Sequence, residues 1–185
     1  VKTGQLLIEI NTYANPYTYI NREISSFLSD YLIAINRNDL IEQYDLNPFS
    51  IKVLDIRRTL IEKMVSLLRF SFETDVVKAL STKIRHFYDL YYLANDKECA
   101  EYLQSSEFKK DLSELLIHDQ QEFDIPEGWQ TKTIKESPLF KEFSTLWTIL
   151  SVVYQNELTP LAFSDIPDKK LIAESFMKIL KQLQK

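Results

Sequence analysis

Ile51-Lys52-Val53-Leu54-Asp55 runs without a break into Ile56-Arg57-Arg58-Thr59-Leu60-Ile61-Glu62-Lys63-Met64-Val65-Ser66-Leu67-Leu68-Arg69-Phe70. The hydrophobic period changes partway along this stretch. Up to Asp55 the apolar residues stand at alternate positions, the pattern of a short strand. From about Asp55 to Phe72, Leu60, Met64, Leu67 and Leu68 recur at i, i+4, i+7 and i+8, which is the buried stripe of an amphipathic helix. Both element types are therefore present, and the balance between them decides the fold class.

Upstream, Gln5-Leu6-Leu7-Ile8-Glu9-Ile10 reads as a second strand, ended by Asn15-Pro16. Asn21 reads as the N-cap of a helix from about Arg22 to Asn36, with Ile24, Phe27, Leu28 and Tyr31 on one face. Downstream, Thr82 to Asn95 reads as a helix burying Ile84, Phe87, Tyr88 and Tyr91. Two or three helices follow between Lys97 and Glu122. Phe123 to Pro138 reads as a loop, and helices return near Leu139–Tyr154 and Asp168–Leu183. The expected class is α+β, mostly helical, with a short N-terminal β part packed on a helical bundle. The expected division is 1–95 and 96–185, or one continuous domain.

At 185 residues with 45% apolar content, the chain has material for a substantial core. No window supplies the ~20 apolar residues of a membrane span. Cys99 is the one cysteine, so no internal disulfide forms, which fits a cytoplasmic protein. It reads as a small hydrophobe on a helix. The opening Val1-Lys2-Thr3-Gly4 is neither a signal peptide nor an initiator methionine, as expected of a piece of a longer protein. The net charge of −5 argues against a general nucleic-acid binder. Yet Ile51 to Asp89 carries eight Lys/Arg against five acids. That segment is either a set of solvated helix faces or a local anion site.

Arg85 and Asp89 stand at i, i+4 and share a face that Tyr92 and Asp96 extend. Such a pair contributes little to stability on a surface, roughly 0.3–0.5 kcal/mol. It reads either as a structural salt bridge or as part of a site. Lys63 lies one position off its helix's apolar stripe. It reads either as a snorkelling surface lysine or as a point charge for phosphate. A cation from one helix, with a carboxylate and a guanidinium from the next, suits a polyphosphate and a reacting hydroxyl. Nucleotidyl transfer also needs Mg²⁺ on closely spaced carboxylates. No strand Asp-x-Asp exists, and the one strand acid in a suitable setting is Glu9.

Other constellations are weaker. His118-Asp119 lacks a nucleophile, since adjacent helical residues do not face each other and no serine or cysteine partner is identifiable. His86 reads as structural or supporting rather than as a general base. Zinc is disfavoured by one cysteine and two distant histidines. Trp129 and Trp147 read as core or loop anchors. Phe87, Tyr88, Tyr91 and Tyr92 read mostly as core.

Three segments carry a resemblance: Leu7-Ile8-Glu9-Ile10-Asn11, Arg58-Thr59-Leu60-Ile61-Glu62-Lys63, and Ile84-Arg85-His86-Phe87-Tyr88-Asp89-Leu90-Tyr91. Together they resemble the AbiEii/AbiGii-type nucleotidyltransferase toxins of abortive-infection and toxin–antitoxin systems. That family has a polymerase-beta-like core with a Gly-Gly-Ser/Thr turn, a strand Asp-x-Asp, a helix lysine and a helix aspartate. The resemblance implies catalytic roles for Lys63 and Asp89. It implies nucleotide or phosphate contacts for Lys63, Arg85 and Arg58, and a metal role for Glu9. The first two motifs have no counterpart here, and the resemblance places them before Val1.

What the resemblance implies for the parent protein is an enzyme using Mg²⁺ and an NTP. It would transfer a nucleotide to RNA, such as tRNA, or to protein in a bacterial cytoplasm, with a cognate antitoxin as partner. Residues 1–185 alone are expected to be inactive and to hold no cofactor. The alternative is a non-catalytic helical module that binds an antitoxin or another protein.

Overall fold

The structure is a computed structural model that describes residues 19–162 and 164–184. The strand expected at Gln5–Ile10, with Glu9, lies outside the described residues. The chain divides into two compact units, residues 1–55 and 56–185.

In the first unit β1 (Tyr19–Ile24) pairs antiparallel with β2 (Phe49–Leu54), in a register that sets Tyr19 opposite Leu54 and Ile24 opposite Phe49. Between them run α1 (Phe27–Ala34) and α2 (Asn38–Gln43). The helix expected from Arg22 begins five residues later. Asn21 lies in β1 opposite Lys52, and Ser26 is the cap, its hydroxyl accepting the backbone N–H of Ser29. Cross-strand pairing and the better-placed serine together outweigh the local capping preference of Asn21. Asn36 and Asp45 adopt φ of 57° and 51° just after α1 and α2. The left-handed conformation is tolerated by these two residue types and closes both helices.

The second unit is helical. It contains α3 (Ile56–Phe70), α4 (Val76–Ser81), α5 (Ile84–Asn95), α6 (Lys97–Tyr102) and α7 (Ser106–Glu122). It continues with α8 (Pro138–Lys141), α9 (Phe143–Leu158) and α10 (Lys169–Gln184). With the two-stranded antiparallel sheet, this makes the protein α+β and mostly helical. Most helix starts are written locally. Asp75, Asp96, Ser105 and Ser137 each accept a backbone N–H of the first turn that follows. Helix α4, absent from the expected element order, is a single capped turn and a half too short to show a period.

Helix α3 buries Leu60, Met64, Leu67 and Leu68 as its spacing predicts, and adds Ile61 and Val65. Phe87 of α5 sits at the centre of an aromatic cluster, with ring centroids 4.9 Å from Phe176, 5.3 Å from Trp147 and 6.1 Å from Phe143. The Phe176 ring meets Phe87 edge-on, the Trp147 ring is tilted and the Phe143 ring is stacked. The core formed this way runs from α3 to α10 and crosses residue 95 without interruption. Cys99 is fully buried on α6 as a small apolar residue. Trp129 and Trp147 are both buried anchors. Residues 123–138 hold two 3-10 turns, pinned by the Gln120 amide, which donates to the carbonyls of Trp129 and Lys132.

Candidate functional site

Helix α3 is apolar on roughly half its circumference. Lys63 stands at one border of that stripe, and the half-buried side chain crosses to α5. Its ammonium donates to Asp89 Oδ2 at 2.7 Å, joining residues 26 apart in sequence. The side chains of Lys63 and Asp89 keep 23% and 34% exposure, so solvent and solutes reach both. The i, i+4 pairing expected between Arg85 and Asp89 does not form. Arg85 is exposed and makes no ion pair among the described residues. A longer-range cation wins because α3 and α5 pack side by side, and Arg-before-Asp is the weaker intrahelical order.

His86 lies against this pair. Burial pushes its imidazole down to about 4, and the charges of Lys63 and Lys83 push the same way, against a weaker pull from Asp89. It is therefore neutral at pH 7 and adds no third charge. Its Nδ1 is buried and accepts no hydrogen bond among the described residues. Lys83, beside it in charge terms, lies over the Phe70 ring at 4.4 Å. Tyr92, read both as an extension of the Asp89 face and as part of a mostly core cluster, is 50% exposed. Its position three residues after Asp89 on α5 puts it on the same outward arc, a signal already present in the helical spacing.

Arg58 goes elsewhere. Five residues before Lys63, it projects about 140° away around the α3 axis. Its Nε donates to Glu62 Oε1 at 3.1 Å. On that flank α3 meets α7, where Arg69 Nη1 lies 3.7 Å from Asp119 Oδ2. The Arg69 guanidinium also stacks on Phe123 at 3.8 Å from the ring centroid. Burial raises the Asp119 pKa, and Arg69, His118 and Arg58 offset this only in part. His118 Nδ1 is 3.8 Å from Asp119 Oδ1, too long for a hydrogen bond. This second cluster fastens α7 to α3 and is separate from the Lys63–Asp89 pair.

The arrangement thus brings together Lys63, Asp89 and His86, with Arg85 and Tyr92 on the adjoining surface. It does not bring Arg58 to them, and Glu9 lies outside the described residues. The described residues offer no clustered metal ligands. They contain no group of three acidic, histidine or cysteine side chains able to hold a metal, and the Asp89 carboxylate already carries an ammonium. Lys63 itself is a point charge at a solvent-reached edge. None of the described helices is long and apolar enough to cross a membrane.

The chain is thus a mostly helical α+β protein with a cation–carboxylate pair between two of its helices. The particular family follows from comparison with known proteins. The model of the family described as the nucleotidyl transferase AbiEii toxin of type IV toxin–antitoxin systems matches residues 2–173. The chain belongs to this nucleotidyltransferase toxin family. No curated protein and no solved structure matches it.

Proposed function

We propose that Lys63 and Asp89 form the phosphate-and-acid part of a site that transfers a nucleotide from an NTP to an acceptor hydroxyl. The acceptor is RNA, such as tRNA, or a protein side chain, and the partner that restrains the toxin is a cognate antitoxin. The observation that carries this reading is the 2.7 Å Lys63–Asp89 contact at a solvent-reached edge. The family match supports it, since that match extends past the expected boundary at residue 95 and into α10. The C-terminal helices are then part of the toxin rather than a separate module.

The chemistry uses an exchange of partners. In the free protein the two charges neutralise each other. When a triphosphate arrives, the Lys63 ammonium turns to its oxygens, where it offsets charge that grows on the leaving pyrophosphate. Asp89 is released at the same moment, accepts a hydrogen bond from the acceptor hydroxyl and takes its proton as the new bond forms. The hydroxyl oxygen bonds to the α-phosphorus as the bond to pyrophosphate breaks. Arg85, free of an internal partner among the described residues, is placed for a further phosphate contact.

The test is transfer of labelled NTPs to cellular RNA and protein by the toxin as expressed from its gene. Label should appear in one of the two pools. Lys63→Ala should abolish it while circular dichroism stays unchanged. Undiminished transfer by that variant would remove Lys63 from the site.

A further inference from the structure

The geometry points to the Tyr88–Tyr92 ring pair as a stacking platform for a nucleobase beside Lys63 and Asp89. The inference rests on the nucleotidyl-transfer reading and names what the adjoining surface binds. Tyr92 follows Asp89 by three residues and Tyr88 by four, so all three belong to one outward arc of α5. The rise from Asp89 to Tyr92 is about 4.5 Å, within reach of a single nucleotide whose phosphate sits at Lys63.

The platform is exposed but held. Tyr92 keeps 50% exposure on a helix whose inner face, Ile84, Phe87 and Leu90, is buried. Its ring lies 4.9 Å from Tyr88 and 5.2 Å, edge-on, from Tyr91. Both of those tyrosines are half-buried and anchor it from beneath. A hydrogen bond with Tyr88 raises the Tyr92 phenol pKa. A large aromatic face fixed in one orientation at the surface stabilises the fold little. It suits a flat ligand, because the ordering cost of the ring is already met. Base-on-aromatic stacking is sequence-tolerant and works best next to cations that hold the backbone, here Lys63 and Arg85. Both lie in residues 51–89, which carry eight Lys/Arg against five acids.

The base belongs either to the NTP or to an unpaired position of an RNA acceptor. Two probes separate these sources: each of the four NTPs in turn, and a fluorescein-labelled eight-nucleotide single-stranded RNA of mixed sequence. Binding is measured for the toxin as expressed from its gene and for Tyr92→Phe, Tyr92→Leu and Tyr92→Ala, with thermal unfolding as the check on folding. The expected result is retention of affinity by Tyr92→Phe. Tyr92→Leu and Tyr92→Ala should weaken one probe by about 5- to 150-fold, the range of a lost base stack. Loss for an NTP assigns the donor base, and loss for the RNA assigns the acceptor. Equal affinity of Tyr92→Leu and wild type for every probe overturns the inference. So does a loss in Tyr92→Phe as large as in Tyr92→Leu, or no binding of any probe by the wild type. Lys63→Ala separates the two levels of the argument: if it transfers normally, the catalytic reading fails, while the Tyr92 series still reports on the platform by binding alone.

Discussion

Lys63 and Asp89 hold each other at 2.7 Å across two helices, yet this contact contributes little to the fold. Both side chains remain partly solvated, and ion pairs of that kind contribute about 0–1 kcal/mol. The apolar stripe of α3 fixes the helix without it. Lys63→Ala and Asp89→Asn should each change unfolding free energy by about 1 kcal/mol or less in urea titrations. Nucleotide transfer should fall by roughly 10²-fold or more, the usual loss when one group that stabilises developing charge is removed. Equal, small losses in both assays would mark the pair as structural only.

His86 supplies a pH dependence that belongs to the same corner of the fold. Unfolded, its imidazole takes up a proton near 6.5; folded, burial and the two nearby lysines delay this to about 4. The neutral form is the one the fold favours. Its stabilising contribution is complete above pH 6.5, declines as pH falls towards 4, and stays lost below that. The decline is on the order of 2 kcal/mol after allowance for partial solvent screening. Urea unfolding at pH 7, 5.5 and 4.5 should show a gap between wild type and His86→Gln that narrows as pH falls. Parallel curves would place the imidazole in contact with water.

Ser71 and Ser137 join distant parts of the second unit through a buried 2.7 Å hydroxyl pair. The hydrogens can be assigned. Ser71 has one, and it goes to the Leu68 carbonyl at 2.6 Å. Ser137 must then donate to Ser71, while its oxygen accepts the Leu139 backbone N–H that starts α8. Ser137→Ala therefore removes a helix cap and leaves the Ser71 oxygen without its donor. The expected cost is about 1–3 kcal/mol. Ser105→Ala, a part-buried cap outside this hydroxyl chain, should cost nearer 1 kcal/mol. Differential scanning calorimetry of the two variants makes the comparison, and a reversed order would contradict the assignment.

The change of period at Asp55 locates β2 and α3, because half-buried Ile51 and Val53 alternate along the strand while α3 buries a helical stripe. The long helices of the second unit follow from the same rule, and their caps sharpen the ends. Asn21 misleads because capping preference is a local quantity, whereas β1 is decided by a partner strand about thirty residues away. The site is less legible for a related reason. Spacing along α5 brings Arg85 to Asp89, but it says nothing of α3 lying alongside with a lysine in reach. Arg58 and Lys63 share one short motif and still point to different neighbours. A motif read along the chain does not show the angle between its members, whereas a helix separates them by 100° per residue. Tyr92 is legible in both ways, as an extension of the Arg85–Asp89 face and as a member of a mostly core aromatic cluster, and its 50% exposure agrees with the first.

Metal dependence yields the last prediction. Nucleotidyl transfer needs a cation on closely spaced carboxylates to neutralise charge on the triphosphate. Residues 1–185 contain no Asp-x-Asp, and the described residues hold no cluster of ligands able to seat a metal. Lys63 and Arg85 offer two positive charges to a ligand that carries about four negative ones, with Asp89 subtracting from them. Coulomb attraction at a solvated edge is weak at this ratio, roughly 1 kcal/mol per close pair in high dielectric. A polypeptide of residues 1–185 should therefore bind NTPs weakly, and added Mg²⁺ should not tighten them. Titration calorimetry with and without Mg²⁺ checks this directly. Tight, Mg²⁺-dependent binding would require a carboxylate platform within these residues, and Glu9 would then be the first residue to substitute.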